Sequence, residues 1–283
     1  MSQTILHDPA TLISLVVDLV PQWPRSAVTI ETHLPGGYSH ANYRIRVDDK
    51  RFALRTPDHR PQHAELAFEA HWLRSLPADI GARTVAYDAA TGALLTAWID
   101  APLLVETQTT PAELVSYLVG LHSRLPKTAR RYGLPSRVDM WLAQSQLKGV
   151  EGHAVARART RQSRRDLPEQ TTHNDLNPWN ILCAIDGWRT LDWEWVGNND
   201  PFFDLVTLGL GVQVDHPTLR EMARDYGDRL HLATSTVADR LDHAICGFYL
   251  REYAWAEHEI GVGNRRGEVL TQRDHALAQL CQL

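Results

Sequence analysis

The apolar residues of this chain change their spacing once, near residue 98, and that change sets what the chain can fold into. Before it, Val28 and Ile30, then Tyr43, Ile45 and Val47, then Phe52 and Leu54 alternate with polar neighbours, the period of half-buried strands. Asp48-Asp49-Lys50 makes a turn between the second and third runs, so an antiparallel meander is expected. A short helix over 11–20, capped by Asp8 or Thr11, precedes it. A second helix is expected over 62–76, and two further strands flank Ala89-Ala90-Thr91-Gly92. Beyond Trp98-Ile99-Asp100-Ala101-Pro102 the spacing is helical, over 111–125, 138–147, 150–165, 202–211, 216–230, 236–259 and 271–281. Short apolar runs around the Asp186-Gly187 turn, within 170–192, interrupt it. The pattern predicts an α+β chain of two lobes, a small strand-rich one over 1–98 and a larger helical one over 99–283. A length of 283 residues, more than one core usually serves, points the same way.

Charge and cysteine usage exclude several classes. A net charge of −5 offers no general attraction to nucleic acid or to an anionic membrane. Three cysteines without a CxxC pair make neither a disulfide framework nor a zinc site. The longest apolar run, Leu12 to Val20, is broken by Ser14 and Asp18 and is too short to span a bilayer. No basic segment precedes it, so secretion is not expected and a reducing cytoplasm is. Oligomeric state is left open. Among the basic residues, only Lys50, Lys127 and Lys148 are lysines, which leaves few candidates for any chemistry that needs one. Arg157, Arg159, Arg161, Arg164 and Arg165 form the densest charge run, read as a solvated face or an anion-docking patch.

The chemistry-bearing segment is Thr172-His-Asn-Asp-Leu-Asn-Pro-Trp-Asn-Ile-Leu182, followed by Leu191-Asp-Trp-Glu-Trp195. A loop leaving a short strand presents Asp175; Asn180 follows as a second strand begins, and Asp192 sits at the end of a hairpin. A carboxylate that accepts a hydroxyl proton, with an amide oxygen and a second carboxylate able to hold Mg²⁺, is a minimal set for phosphoryl transfer to an alcohol. Singly, each of these residues reads as ordinary loop polarity; their order and context carry the signal.

His173-x-Asp175-x-x-x-x-Asn180 with a later strand-borne Asp resembles the catalytic loop and metal-binding Asp of the protein-kinase-like fold. Leu191-Asp192-Trp193-Glu194 and Asn199-Asp-Pro-Phe-Phe-Asp-Leu205 make it most similar to the aminoglycoside phosphotransferase and choline kinase superfamily. The resemblance implies a bilobal kinase using ATP and Mg²⁺, with a nucleotide-binding lobe over 1–98 and a catalytic, substrate-binding lobe over 99–283. Asp175 and His173 are its candidate catalytic residues, Asp175 as proton acceptor and His173 as loop organiser. Asn180 and Asp192 are its candidate metal ligands.

On the nucleotide side, Gly36 and Gly37 lie between two strands, where backbone amides can approach phosphates. The kinase-like fold places a lysine on the third strand; this chain has Arg55 there, which looks like the choline and thiamine kinase branch. Its helical partner is Glu69, with Glu65 the alternative. The adenine is expected against the backbone near Trp98 and Ile99, where the family has its hinge.

For the acceptor, Phe248, Glu252, Trp255 and Glu259 share one face of a helix, and Trp179 lies inside the catalytic loop. Aromatic rings with nearby acids suit a cationic alcohol such as thiamine or choline, whereas the same stripe also reads as plain core. Glu194 is a further candidate contact. Pro77 to Ile80, Leu121-His122 and the Tyr249 to Glu259 helix are similar to bacterial thiamine kinases. An aminoglycoside-modifying enzyme and a silent nucleotide-binding scaffold are the rival readings; no nucleic-acid or membrane partner is expected.

Overall fold

The computed structural model describes residues 7–34, 40–57, 66–145, 147–163 and 168–283. Gly36, Gly37, Glu65, Arg164 and Arg165 lie outside the described residues. The chain forms two compact units, one of described residues up to 107 together with 179–195, the other of 108–178 and 196–283.

In the first unit, helix α1 (Pro9–Leu19) starts where the Asp8 carboxylate accepts hydrogen bonds from the Ala10 and Thr11 amides. Leu12 and Val16 on its inner face, with Val20 just past its end, bury against the sheet residues Val28, Tyr43, Ile45, Phe52, Leu54 and Leu95. The strands are β1 (Val28–Leu34), β2 (His40–Val47) and β3 (Lys50–Pro57), then helix α2 (Leu66–Ser75), β4 (Thr84–Tyr87) and β5 (Leu94–Ala97). Asp48, at φ 50°, supports the tight β2–β3 turn expected from sequence. The sheet runs β1-β2-β3-β5-β4, antiparallel throughout, so the chain passes from α2 to an outer strand and returns between it and β3. A hairpin distant in sequence joins this unit: β7 (Ile181–Ala184) and β8 (Gly187–Thr190), turning at Gly187 with φ 125°. It is tied on by the Cys183 amide to the Pro102 carbonyl at 2.8 Å and the Thr190 amide to the Ile80 carbonyl at 2.7 Å.

The second unit holds α3 (Pro111–Arg124), α4 (Leu134–Trp141), α5 (Gly149–Gln162), strand β6 (Gln170–Thr172), strand β9 (Gly197–Asn199), α6 (Phe202–Gly211), α7 (His216–Arg229), α8 (Thr234–Gly261) and α9 (Gly267–Gln282). Thr110 and Glu113 cap α3 reciprocally. α8 runs for 28 residues through the interior, and a Cβ on Gly227 of α7 would meet its Val237 at 2.3 Å, a close approach that requires glycine. The helix expected over 138–147 begins earlier, because Pro135 fits the first turn, where its missing amide costs no hydrogen bond, and it ends at Trp141. β9 has no alternating pattern to announce it and exists through its pairing with β6. The charge run is largely a solvated face of α5: Arg157 is exposed, and Arg159 pairs with Asp139. Among the described residues no helix is long and apolar enough to cross a membrane.

Candidate active site

The first unit gathers charged side chains around the central strand of its sheet. Arg55 of β3 and Glu69 of α2 form a two-pronged ion pair, each nitrogen–oxygen distance 2.9 Å, with both side chains buried. The Tyr87 hydroxyl donates to Glu69 at 2.7 Å, and Arg55 also reaches the Gly92 carbonyl at 3.3 Å. Burial by itself disfavours the Arg55 cation, but Glu69, with Asp192 and Glu194 beyond it, more than offsets that cost and holds it charged.

Asp192 directly follows the β7–β8 hairpin. Its backbone lies in the left-handed region at φ 59°, an uncommon conformation for a residue other than glycine and a form of strain that clusters at functional sites. Its Oδ1 is buried and lacks a hydrogen-bond partner among the described residues, standing 3.6 Å from Arg55. The side chain as a whole is 34% exposed, so the carboxylate lies at the margin of the unit. Burial and then the Glu194 charge raise its pKa to about 6, against the opposing pull of Arg55 and His40. Glu194 and His40 are both buried, 3.7 Å apart, and neither His40 ring nitrogen has a hydrogen-bond partner among the described residues.

The hairpin brings Asn180 and Asp192 to the same end. Ile181 pairs with Thr190, and the Leu191 amide donates to the Asn180 carbonyl at 2.8 Å. Trp179 is 62% exposed, whereas Trp193 is core, packed on Trp72 and donating to the Thr190 carbonyl. The Trp98 amide donates to the Arg51 carbonyl, Arg44 lies over its ring at 5.4 Å, and Ile99 is half-buried beside it.

In the second unit the loop after β6 is held from below by Asp204 of α6. The Asp204 carboxylate accepts from the amides of His173 at 2.8 Å and Asn174 at 2.7 Å, and meets His122 Nε2 at 3.0 Å. Burial pushes its pKa up, but the hydrogen bond and charge of His122 and the loop contacts bring it below the ordinary carboxylate value. His173 is fully buried and its Nδ1 accepts from the Asp175 amide at 3.2 Å, the geometry of a loop organiser. Asn174, at φ 68°, spends its side chain on Thr172, Gly197 and Asn199, locking the loop to β9.

Asp175 remains partly open, its side chain 27% exposed, and its neighbour is a residue the motif did not contain. Arg251 of α8 donates to the Asn174 carbonyl at 2.8 Å and to Asp175 Oδ1 at 3.3 Å. The same guanidinium pairs with Glu252 at 2.8 Å and lies 5.4 Å from the rings of Phe203 and Phe248. Phe248 and Glu252 are therefore engaged by a cation of the chain itself, while Trp255 is half-buried one turn on. Arg251, Asn174, His40 and Tyr87 are absent from the sequence-derived set. Arg251 lies 76 residues from Asp175, and an arginine set among the aromatic residues of α8 is the one hint in the sequence.

The family model of the phosphotransferase enzyme family (APH) matches residues 31–242. Thiamine kinase of Shigella boydii is 26% identical over 235 residues, covering 79% of this chain and 78% of that protein. The choline kinase LicA of Streptococcus pneumoniae superposes with TM-score 0.72 at 15% identity, over 97% of this chain and 99% of its own. An aminoglycoside phosphotransferase crystallised with AMP-PNP and hygromycin B gives TM-score 0.66 at 11% identity, over 96% and 97% of the two chains. The fold is the α+β, protein-kinase-like one.

Proposed function

The chain belongs to the APH phosphotransferase enzyme family and is a small-molecule kinase, and we propose that it transfers the γ-phosphoryl group of ATP to the hydroxyl of a small cationic alcohol, of the thiamine or choline kind. The observation that carries the donor side is the buried Arg55–Glu69 pair set 3.6 Å from an Asp192 oxygen that has no hydrogen bond among the described residues.

In this reading Asp175 accepts the proton of the acceptor hydroxyl as its oxygen attacks phosphorus. Arg251 fixes the Asp175 carboxylate, so that the base is aimed without the motional cost of finding its position in each turnover. Arg55, held charged by Glu69, contacts the donor phosphates. Mg²⁺ fits the residues present: Asn180 and Asp192 would hold it, the second through the orphaned oxygen. Among the described residues no group of three or more His, Cys, Asp or Glu is placed to cage a metal, and a two-ligand site leaves positions for phosphate oxygens and water, as Mg²⁺ prefers. When bound, the ion neutralises charge on the phosphates. The backbone at Trp98 and Ile99 receives the adenine.

The cationic acceptor is supported by the thiamine kinase relatives and by the aromatic content of α8. A cation at Phe248 and Glu252 competes with Arg251, so Trp179 and Trp255 are the stronger candidates for its recognition, with Glu194 an added acid. A desolvated cation over an aromatic face gains about 2 kcal/mol, roughly thirtyfold in affinity. The test is an ADP-release assay with thiamine, choline, ethanolamine, kanamycin and simple sugars. Turnover of a cationic alcohol is the expected result. A neutral sugar or kanamycin as best acceptor, with neither thiamine nor choline turned over, overturns the acceptor assignment; no ADP release with any of them overturns the reading as a whole.

A further inference from the structure

Within the first unit, a cavity of about 460 Å³ opens between α2, the segment that follows it and β4. That volume is in the range of small-molecule sites, and no residue of the proposed donor or metal site other than the Tyr87 that braces Glu69 belongs to its wall. Its described lining combines apolar carbon, from Leu73, Pro77 and Val85, with two arginines, Arg74 and Arg83. No acidic side chain is among the described lining residues. The Arg74 and Arg83 side chains are exposed, and neither guanidinium group makes a hydrogen bond or ion pair with any described residue. Elsewhere in this chain guanidinium groups are commonly paired, as Arg44, Arg46 and Arg51 are around Glu31. Thr84 of the same wall has a buried hydroxyl without a partner among the described residues.

We propose that this cavity binds a small amphiphilic anion, its acidic head on Arg74 and Arg83 and its apolar body against Leu73, Pro77 and Val85, and that its occupancy is transmitted to the Arg55–Glu69 pair. The chemistry follows from the wall. Two unpaired guanidinium groups recognise a carboxylate or phosphate head, and an apolar floor repays the burial of a hydrocarbon or aromatic body. A compact polar anion uses only the rim, and a neutral amphiphile only the floor.

The transmission runs through one residue. Tyr87 lines the cavity and donates its hydroxyl to Glu69 Oε2 at 2.7 Å; Ala70, which follows Glu69 on α2, lines it too. A ligand seated against the Tyr87 ring biases that hydrogen bond, and Glu69 in turn holds Arg55 at 2.9 Å. A ligand that favours one arrangement of this chain of contacts must change the affinity for whatever Arg55 binds, and the effect is reciprocal. Binding itself is independent of the kinase reading; the effect on ATP rests on Arg55 contacting donor phosphates.

The experiment uses the full chain with octanoate as probe, and octanol and inorganic phosphate as its two halves. Calorimetry is expected to show saturable octanoate binding, at least about tenfold tighter than either control. The Arg74→Ala/Arg83→Ala double variant should bind octanoate about tenfold more weakly while keeping wild-type basal turnover, since neither arginine belongs to the catalytic machinery. Ala82→Phe, which fills the cavity from its wall, should weaken octanoate as well. In ADP-release assays octanoate should shift the ATP KM of the wild type by about fivefold and leave that of the double variant unmoved; Tyr87→Phe should bind octanoate yet lose the shift. Equal octanoate affinity in the wild type and the double variant, or octanol binding as tightly as octanoate, overturns the site. Octanoate binding with an unmoved ATP KM overturns the transmission. If no acceptor supports ADP release, the kinase reading fails, and calorimetry still decides whether the site exists.

Discussion

Asp192 in the first unit and Asp204 in the second are both pressed by burial toward their neutral forms, yet they end on opposite sides of the ordinary carboxylate value. Asp204 is surrounded by donors: two amides and an imidazole meet its oxygens. Asp192 has a like charge near it in Glu194, an arginine already committed to Glu69, and an oxygen with no hydrogen bond among the described residues. The difference separates a carboxylate that completes the fold from one that the fold leaves incomplete. Such incompletion costs stability and is retained where a ligand supplies the missing partner.

Replacing each aspartate by its amide isostere sharpens that contrast. Asp192→Asn is expected to have the largest effect on turnover, a loss of about 10³-fold in an ADP-release assay, while the urea midpoint of the metal-free chain stays level or rises. Asparagine also tolerates the left-handed backbone at that position. Loss of folding with Asp192→Asn would break the comparison from one side.

Asp204→Asn should do the reverse, lowering unfolding free energy by about 3 kcal/mol because an amide cannot accept from two backbone donors and an imidazole as the carboxylate does. The pH dependences carry opposite signs. The folded pKa of Asp204 lies below its ordinary value of 3.8, so its contribution is complete above that value and is lost as pH falls through the lower folded value. The folded pKa of Asp192, raised to about 6, gives a contribution that is complete below 3.8 and lost as pH rises through 6. Urea unfolding of the wild type and both variants from pH 3 to pH 8, without divalent metal, reads both slopes. Two slopes of the same sign would show that the partners seen here do not govern the two groups.

Asp175→Asn comes next, with turnover reduced about 10²-fold and ATP binding retained by calorimetry. Near-normal turnover would remove Asp175 from the proposed chemistry. The smallest effect belongs to Arg251: lysine keeps the charge but cannot span Asn174, Asp175 and Glu252 together, so Arg251→Lys should lower kcat about tenfold with the ATP KM little changed. A change confined to KM would make Arg251 a binding group instead of one that aims the base.

How much of this was readable beforehand depends on the distance over which each feature is decided. The His173 to Asn180 spacing and Asp192 mark out the proposed chemistry, because a strand, a loop and a hairpin hold those residues by local geometry. The helix over 202–211 is bounded in sequence as in the fold, since its apolar run and its Pro201 start are local signals. Arg251, His40 and Tyr87 carry no such mark. Their importance comes from contacts with Asp175, Glu194 and Glu69, made across segments that sequence spacing does not relate.

The periodicities by themselves determined most of the stretches that become strands and helices, β9 excepted, since a period of two or 3.6 exposes one face that must be buried. They determined the α+β class and the order of the elements. Tertiary structure alone decided that β5 lies between β3 and β4, that Gly197–Asn199 pairs with β6, and that the hairpin bearing Asp192 joins the sheet unit next to Arg55. Each of those outcomes selects one among several pairings that satisfy the local pattern equally, and the selection is made by burying backbone groups and side chains that are distant in the chain.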